Sequence, residues 1–264
     1  MTNLIIWSKD RACQLHLLLE SLEKYSGNTF SKVFIIYTHS SKAYSDAYIS
    51  LRKRFTKPIF IEESSFYNDT MRVLNENATN IAFSTDDNVC FDSFNLSYLS
   101  LKNEVFSLRL GLNTLIQNHI AGTMQIPLNR YVSDGDLISW NHLDFDPMVN
   151  YGYPCSLDMH IFNREKMLNI VKQFSFKNTN ELESNLVRFR FEFSSISAFR
   201  SNKIVNIPCN NMSNYTQINL NNKYTTESLN SMYLKNYVIS LPLLRKHRVI
   251  GCHQDIPYTL VKYG

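Results

Sequence analysis

Two adjacent carboxylates, Asp86 and Asp87, close the apolar run Ile81-Ala82-Phe83, and Asn88 and Asp92 follow them. Side by side, two carboxylates repel unless something positive stands near them. A divalent cation meets that need: Mg2+ or Mn2+ takes hard oxygen ligands, keeps some of its waters and bridges the phosphates of a substrate. A solvated turn is the plain alternative for such a pair. Other groups could share the chemistry. Glu62 and Glu63 end the run Pro58-Ile59-Phe60-Ile61, where an acid can accept from ribose hydroxyls. Asp158, Glu181 and Glu183 are candidates for a proton-accepting carboxylate, and Arg109, after Val105-Phe106-Ser107-Leu108, could reach a diphosphate.

These residues need a frame. Leu4-Ile5-Ile6-Trp7, Val33 to Tyr37, Pro58 to Ile61 and Ile81 to Ser84 read as buried strands. Between them, Leu15, Leu18, Leu19 and Leu22, then Ala43 to Phe55, then Asp69 to Asn77, read as helices. Strands alternating with helices predict an α/β domain with a mostly parallel sheet. Ligands of such sheets bind beyond the carboxyl ends of the strands, where Asp86 and Asp87 stand. After residue 95 the pattern loosens. Val105 to Leu110 predicts a strand, and 111–150 a loop-rich stretch with Trp140. A short strand at His160-Ile161-Phe162 leads into a helix from about Arg164; Asn180 to Phe193 predicts a helix, and Ile204 to Pro208 a late strand.

Composition narrows the class. The 264 residues are 44% hydrophobic and 19% charged, with a net charge of +4, which suits an ordered globular chain and phosphate-bearing ligands without demanding them. Basic residues are scattered apart from Arg52-Lys53-Arg54 and Arg245-Lys246-His247-Arg248, so a nucleic-acid partner is not expected. The five cysteines, at 13, 90, 155, 209 and 252, form no CxxC pair and predict free thiols. The N-terminus lacks the pattern of a signal peptide, which predicts a cytoplasmic protein, and the sequons at Asn68, Asn77, Asn95, Asn211 and Asn214 read as chance.

The N-terminal "IIWSKDRACQLHLLLESL", with "TDDN" about 80 residues on, resembles a GT-A glycosyltransferase. There a Ser-x-Asn-Arg loop precedes a Leu-rich helix, and an acidic DxD motif binds the metal and the nucleotide-sugar diphosphate. Ser8 and Arg11 match the loop, Asp10 stands where Asn is usual, and Thr85-Asp86-Asp87-Asn88 matches the acidic motif without its third acid. "YPCSLDMHIFNREKM" is similar to the later strand-loop where donor and acceptor meet, and "TNELESNL" to the acidic stretch that often supplies the catalytic carboxylate.

The resemblance covers about residues 1–200. It implies a GT-A-like, mixed but mostly parallel sheet flanked by helices: a domain over 1–240, with a nucleotide-binding half (1–95), an acceptor-side half (96–240) and a C-terminal tail (241–264). It implies donor contacts from Ser8, Arg11, Glu62, Glu63, Thr85, Asp86 and Arg109. A Mn2+ or Mg2+ ion would sit on Asp87 and Asp86, completed by His253. A base among Glu183, Glu181 and Asp158, with Glu183 preferred, would give inversion; without one, retention stays open. Trp140 and Tyr151 to Tyr153 are candidates to stack on sugar rings, with core packing the alternative, and His160 reads as a core histidine. The implied partners are a nucleotide-sugar donor and a glycan or lipid-linked acceptor. The basic segment Arg245 to Arg248 suits peripheral contact with the inner face of a membrane. Two other classes stay open. Nucleotidyl transfer is weakened by the missing Gly-rich loop near the N-terminus, and the missing third acid leaves room for a non-catalytic carbohydrate-binding protein. No P-loop motif is present.

Overall fold

The computed structural model describes residues 1–118, 123–208 and 224–264. Cys209 and the sequons at Asn211 and Asn214 lie outside the described residues. The first half alternates strands and helices: β1 (Thr2–Lys9), α1 (Ala12–Tyr25), β2 (Phe30–Thr38), α2 (Lys42–Arg54), β3 (Ile59–Glu62), α3 (Phe66–Leu74) and β4 (Asn80–Thr85). Then come β5 (Asn88–Cys90), β6 (Val105–Ser107), β7 (Ile116–Asn118), β8 (Thr123–Met124), β9 (Val132–Asp134) and β10 (Leu137–Trp140). The chain continues through β11 (His160–Asn163), α4 (Arg164–Val171), α5 (Thr179–Val187), β12 (Ile196–Phe199), β13 (Ile204–Asn206), α6 (Thr226–Leu234), β14 (Tyr237–Ile239), α7 (Leu241–Leu244) and β15 (Leu260–Lys262).

Nine strands form the central sheet in the order β3-β2-β1-β4-β11-β6-β12-β10-β9. β1, β2, β3 and β4 run parallel, and β11 lies antiparallel to both β4 and β6. β1 is the central strand of the parallel part, and seven of its eight residues are buried. Its alternating side chains feed two cores, as a strand with both faces covered must. Leu4 and Ile6 join Ile35, Ala82 and the helices α1 and α2, whereas Ile5 and Trp7 join Phe34, Phe83 and the helices α3 and α4. Phe83 is fully buried, with its ring centroid 5.4 Å from that of Trp7 and 5.7 Å from that of Phe162. Phe83→Ala should destabilise the fold by about 3–5 kcal/mol, read as a lowered midpoint in urea unfolding.

Strand direction and order fix where chemistry can occur. The chain winds one way through β1, β2 and β3 and the other way from β1 to β4, so the crevice opens at the carboxyl ends of β1 and β4. The loop Ser8 to Arg11 leaves β1 there, and Asp86 and Asp87 leave β4. Because β11 is antiparallel, the residues entering it, Asp158 and Met159, arrive at the same edge. Met159 takes φ 56 there, a strained value for a non-glycine residue, and its N–H bonds the Phe83 carbonyl at 2.8 Å. β6 runs with β4, so Arg109 also follows at this edge.

Several boundaries differ from the sequence expectation. α3 begins at Phe66 because Ser65 caps it, its side chain accepting from the Asn68 N–H; Asp69 lies within the first turns and its carboxylate accepts from the N–H groups of Ser64 and Ser65. The stretch 111–150 supplies β9 and β10 to the far edge of the sheet. β13 leaves the main sheet and pairs with β5, with Asn206 opposite Asn88. Residues 241–264 do not form a detached tail. Leu241, Leu244 and Ile256 are buried in the same core as Leu4, and β14 pairs with β15.

Candidate active site

Both carboxylates of the acidic pair are engaged by donors. Arg11 Nη1 donates to Asp86 Oδ1 at 2.9 Å and to Asp87 Oδ2 at 3.1 Å. Ser8 Oγ donates to Asp86 Oδ2 at 2.7 Å and receives the Tyr48 hydroxyl at 2.6 Å. Tyr48 in turn accepts the Arg11 backbone N–H at 3.2 Å. Asp86 is buried; burial lifts its carboxyl to about 6, with Arg11 opposing the shift and the Asp87 charge adding to it.

A second constellation adjoins the first. Arg109 is buried, and its Nη1 reaches Ser156 Oγ at 2.7 Å and Asp158 Oδ2 at 3.2 Å, while Nη2 reaches Asn150 Oδ1 at 3.1 Å. His253 Nε2 lies 2.9 Å from the same Asp158 oxygen. Asp158 Oδ1 accepts from Asn88 Nδ2 at 3.0 Å and Asn206 Nδ2 at 3.3 Å, with Thr85 Oγ1 at 2.9 Å. Burial alone would raise the Asp158 carboxyl. The hydrogen bond and charge of His253 and the charge of Arg109 outweigh it and hold the group well below the usual carboxylate range. Thr85 and Asn206 join the two constellations, because both also bond Asp87 Oδ1, at 2.7 and 2.8 Å.

The structure therefore brings together Ser8, Arg11, Thr85, Asp86, Asp87, Arg109, Asp158 and His253. Glu183 comes close to them from α5, half-buried. Burial, then the negative charge of Asp158, push its carboxyl up to about 7, while the Leu157 N–H donates to it and the Tyr153 hydroxyl bonds it. Other candidates stand elsewhere. Glu181 is exposed and caps its own helix: it accepts from the Lys177 N–H at 2.9 Å, while the Asn178 side chain accepts from the Glu181 N–H at 2.9 Å. Glu62 faces solvent beside His39 at 3.1 Å, and Glu63 lies near Asp69; neither is hydrogen-bonded to the acidic pair. Trp140 and Tyr151 are buried and cannot present a face to a sugar: Trp140 Nε1 donates to the Tyr151 carbonyl, and Tyr151 to the Gly111 carbonyl. His160 is a buried core histidine whose Nδ1 donates to the Pro154 carbonyl at 2.9 Å, and burial lowers its pKa to about 3.

Tyr48, Asn150 and Asn206 were not legible as site residues, since each lies in a segment with no acidic or motif signal, and Ser156, though inside the stretch "YPCSLDMHIFNREKM", is an uncharged residue that its sequence does not single out. Asn88 was visible as the departure from a third acid. Its geometry gives that departure a physical reason: its amide donates to Asp158, and an aspartate there would set a carboxylate against a carboxylate.

A Mn2+ or Mg2+ ion on Asp86 and Asp87 would share their oxygens with donors that already bind them. All four oxygens of Asp86 and Asp87 already receive donors from Arg11, Ser8, Thr85 or Asn206, and His253 is engaged by Asp158. Among the described residues, no three His, Cys, Asp or Glu side chains converge as a metal-holding group.

No protein-family model matches the chain, and no curated protein does. Its architecture is a large mixed and mostly parallel sheet with flanking helices. Among solved structures it is similar to the apo WbbM bifunctional glycosyltransferase (12% identity, TM-score 0.40, 89% of this chain and 44% of that one). It is also similar to residues 1–349 of S. aureus TarS (11%, 0.44, 76% and 58%) and to HddC from Yersinia pseudotuberculosis (16%, 0.40, 78% and 93%). The chain thus spans less than half of the WbbM chain and under two thirds of the TarS one. At these identities the likeness is one of architecture, and the chemistry has to be argued from this chain's own residues.

Proposed function

We propose that the protein is a glycosyltransferase that moves a sugar from a nucleotide-diphosphate donor to a glycan or lipid-linked acceptor in one inverting displacement. The observation that carries this reading is a division of labour among carboxylates at one sheet edge. Asp86, Asp87 and Asp158 are locked to cations and donors. Glu183 has no ion pair among them, is half-buried and is raised to about 7, which suits it to exchanging a proton near neutral pH.

The roles follow from placement. Arg11, at the N-terminus of α1, and Arg109 supply fixed positive charge beside the crevice, where the leaving diphosphate develops charge. The α1 dipole adds to it, and its first turn carries no acidic side chain. Ser8 and Asp86 are placed for the nucleoside, and Glu183 takes the proton of the attacking hydroxyl.

Binding of nucleoside diphosphates tests this reading. A panel of UDP, GDP, CDP and ADP is screened by thermal unfolding, with and without Mn2+, on the parent and Arg11→Met. One nucleotide should raise the melting temperature by several degrees in the parent and not in the variant, since ligand at a hundred times Kd stabilises by about 2.7 kcal/mol. A shift that appears only with Mn2+ would seat a metal at the site. No shift with any nucleotide under either condition would remove the transferase reading.

A further inference from the structure

The basic segment read in the sequence finds a neighbour in the structure. Leu115, Met124, Ile126 and Met148 are exposed large apolar side chains, Met124 by 69% and Met148 by 83%. They are not scattered. Ile116 pairs with Met124 across β7 and β8, the Gln125 N–H bonds the Leu115 carbonyl, and Gln117 Nε2 bonds the Met148 carbonyl. The four thus stand on a rim of chain segments hydrogen-bonded to one another, with Met124, Ile126 and Met148 the most exposed of them. Ile250 accepts from the N–H groups of both Leu115 and Ile116, and Gly251 bridges Ile116. Exposed Lys246 to Arg248 lie just upstream of this contact in the chain. Asp146, exposed beside Met148, accepts the Met148 N–H at 2.7 Å, so one carboxylate on this surface is engaged locally.

The rim borders the candidate site on two sides. Asn150 bonds Gln125 and the Ile116 carbonyl, and also receives Arg109. The loop that carries the basic residues goes on to His253, and Gln254 closes it by donating to the Arg248 carbonyl at 2.9 Å.

We propose that this rim docks the protein on an anionic lipid surface, the apolar side chains entering the interface and Lys246 to Arg248 meeting lipid phosphates, so that the acceptor is lipid-carried. Apolar side chains beside a cluster of basic ones are the combination that interfacial binding requires. Among the described residues no helix is long and apolar enough to cross a membrane, so the contact is peripheral. The acceptor class rests on the transferase reading; the docking does not.

Vesicle flotation of the full chain tests it. The parent should float with vesicles of equal parts phosphatidylglycerol and phosphatidylcholine, less so at high salt, and hardly at all with phosphatidylcholine alone. Met124→Asp/Met148→Asp and Lys246→Glu/Arg248→Glu should each lower the bound fraction by about tenfold or more. Both pairs are exposed, so melting temperature and nucleotide binding should match the parent. A parent that does not float, or variants that float as well as it does, would overturn the docking. So would a non-floating parent that sediments as a dimer broken by Met148→Asp, which would make the rim a subunit interface. Loss of nucleotide binding in the parent with flotation intact would remove the transferase reading and leave the docking standing.

Discussion

Glu183→Gln is expected to lower turnover by about 10²–10⁴-fold, the range that a positioned general base supplies, with nucleotide binding kept. The argument starts from the environment of the carboxyl. Burial and the Asp158 charge hold it at about 7, so in the parent the ascending limb of the pH–rate profile should lie near pH 7. Below it, activity should fall by about tenfold per unit as the base takes up its proton. The linkage to stability has the opposite sense. A carboxyl whose folded-state pKa is raised binds its proton more tightly when folded, so its contribution to stability is present at low pH. That contribution is lost as pH rises from the ordinary carboxylate value through about 7. Glutamine cannot ionise and escapes that loss. The variant should therefore melt no lower than the parent at pH 8 while turning over far more slowly. Turnover equal to the parent's, or an ascending limb unmoved by the substitution, would remove Glu183 from the chemistry.

The two halves of the chain were unequally legible. The strands from Leu4 to Ser84 could be read because each is an apolar run between amphipathic helices, and local periodicity reports directly on a parallel sheet covered on both faces. Asp86 and Asp87 were visible because charge at the end of such a run is a local anomaly. Their partners were harder. Arg11 could be matched as a motif residue, but its grip on both acids depends on β1 and β4 being neighbours, which is a fact of topology. The site role of Asn206 depends on a strand that leaves the main sheet to pair with β5, and no periodicity encodes that choice. Glu181 and Glu183 show the limit most plainly. They lie two residues apart on one helix, so about 200° separates them around its axis, and one turns to solvent as a capping residue while the other turns inward. Residues 241–264 read as a tail because the basic run Arg245 to Arg248 dominates them and no regular period links their apolar residues, yet Leu241, Leu244 and Ile256 reach the main core and carry His253 with them.

Arg109→Met is the substitution expected to cost the fold most. Arg109 is buried, and its guanidinium satisfies Ser156, Asp158 and Asn150 at once. Methionine keeps much of the volume but leaves Asp158 a buried carboxylate with only His253 as a cationic partner. Breaking a buried pair from one side costs about 3–5 kcal/mol, against gains near zero for exposed pairs. For a chain of this size that corresponds to a fall in melting temperature of about 6–20 °C. Lysine should rescue little, because a single ammonium cannot span three acceptors that a planar fork reaches together. The pH dependence separates this account from simple loss of packing. In the parent, Asp158 is held below its ordinary value, so its stabilising contribution is present above that value and is lost as pH falls through the depressed one. Without Arg109 that depression shrinks, and protonation relieves the orphaned charge. The stability gap between parent and variant should therefore hold from neutral pH down to about pH 4 and narrow below it, measured by urea unfolding at about pH 7 and about pH 3. A gap of the same size at both pH values would mean that Arg109 stabilises the fold by packing alone, and that Asp158 does not depend on its charge.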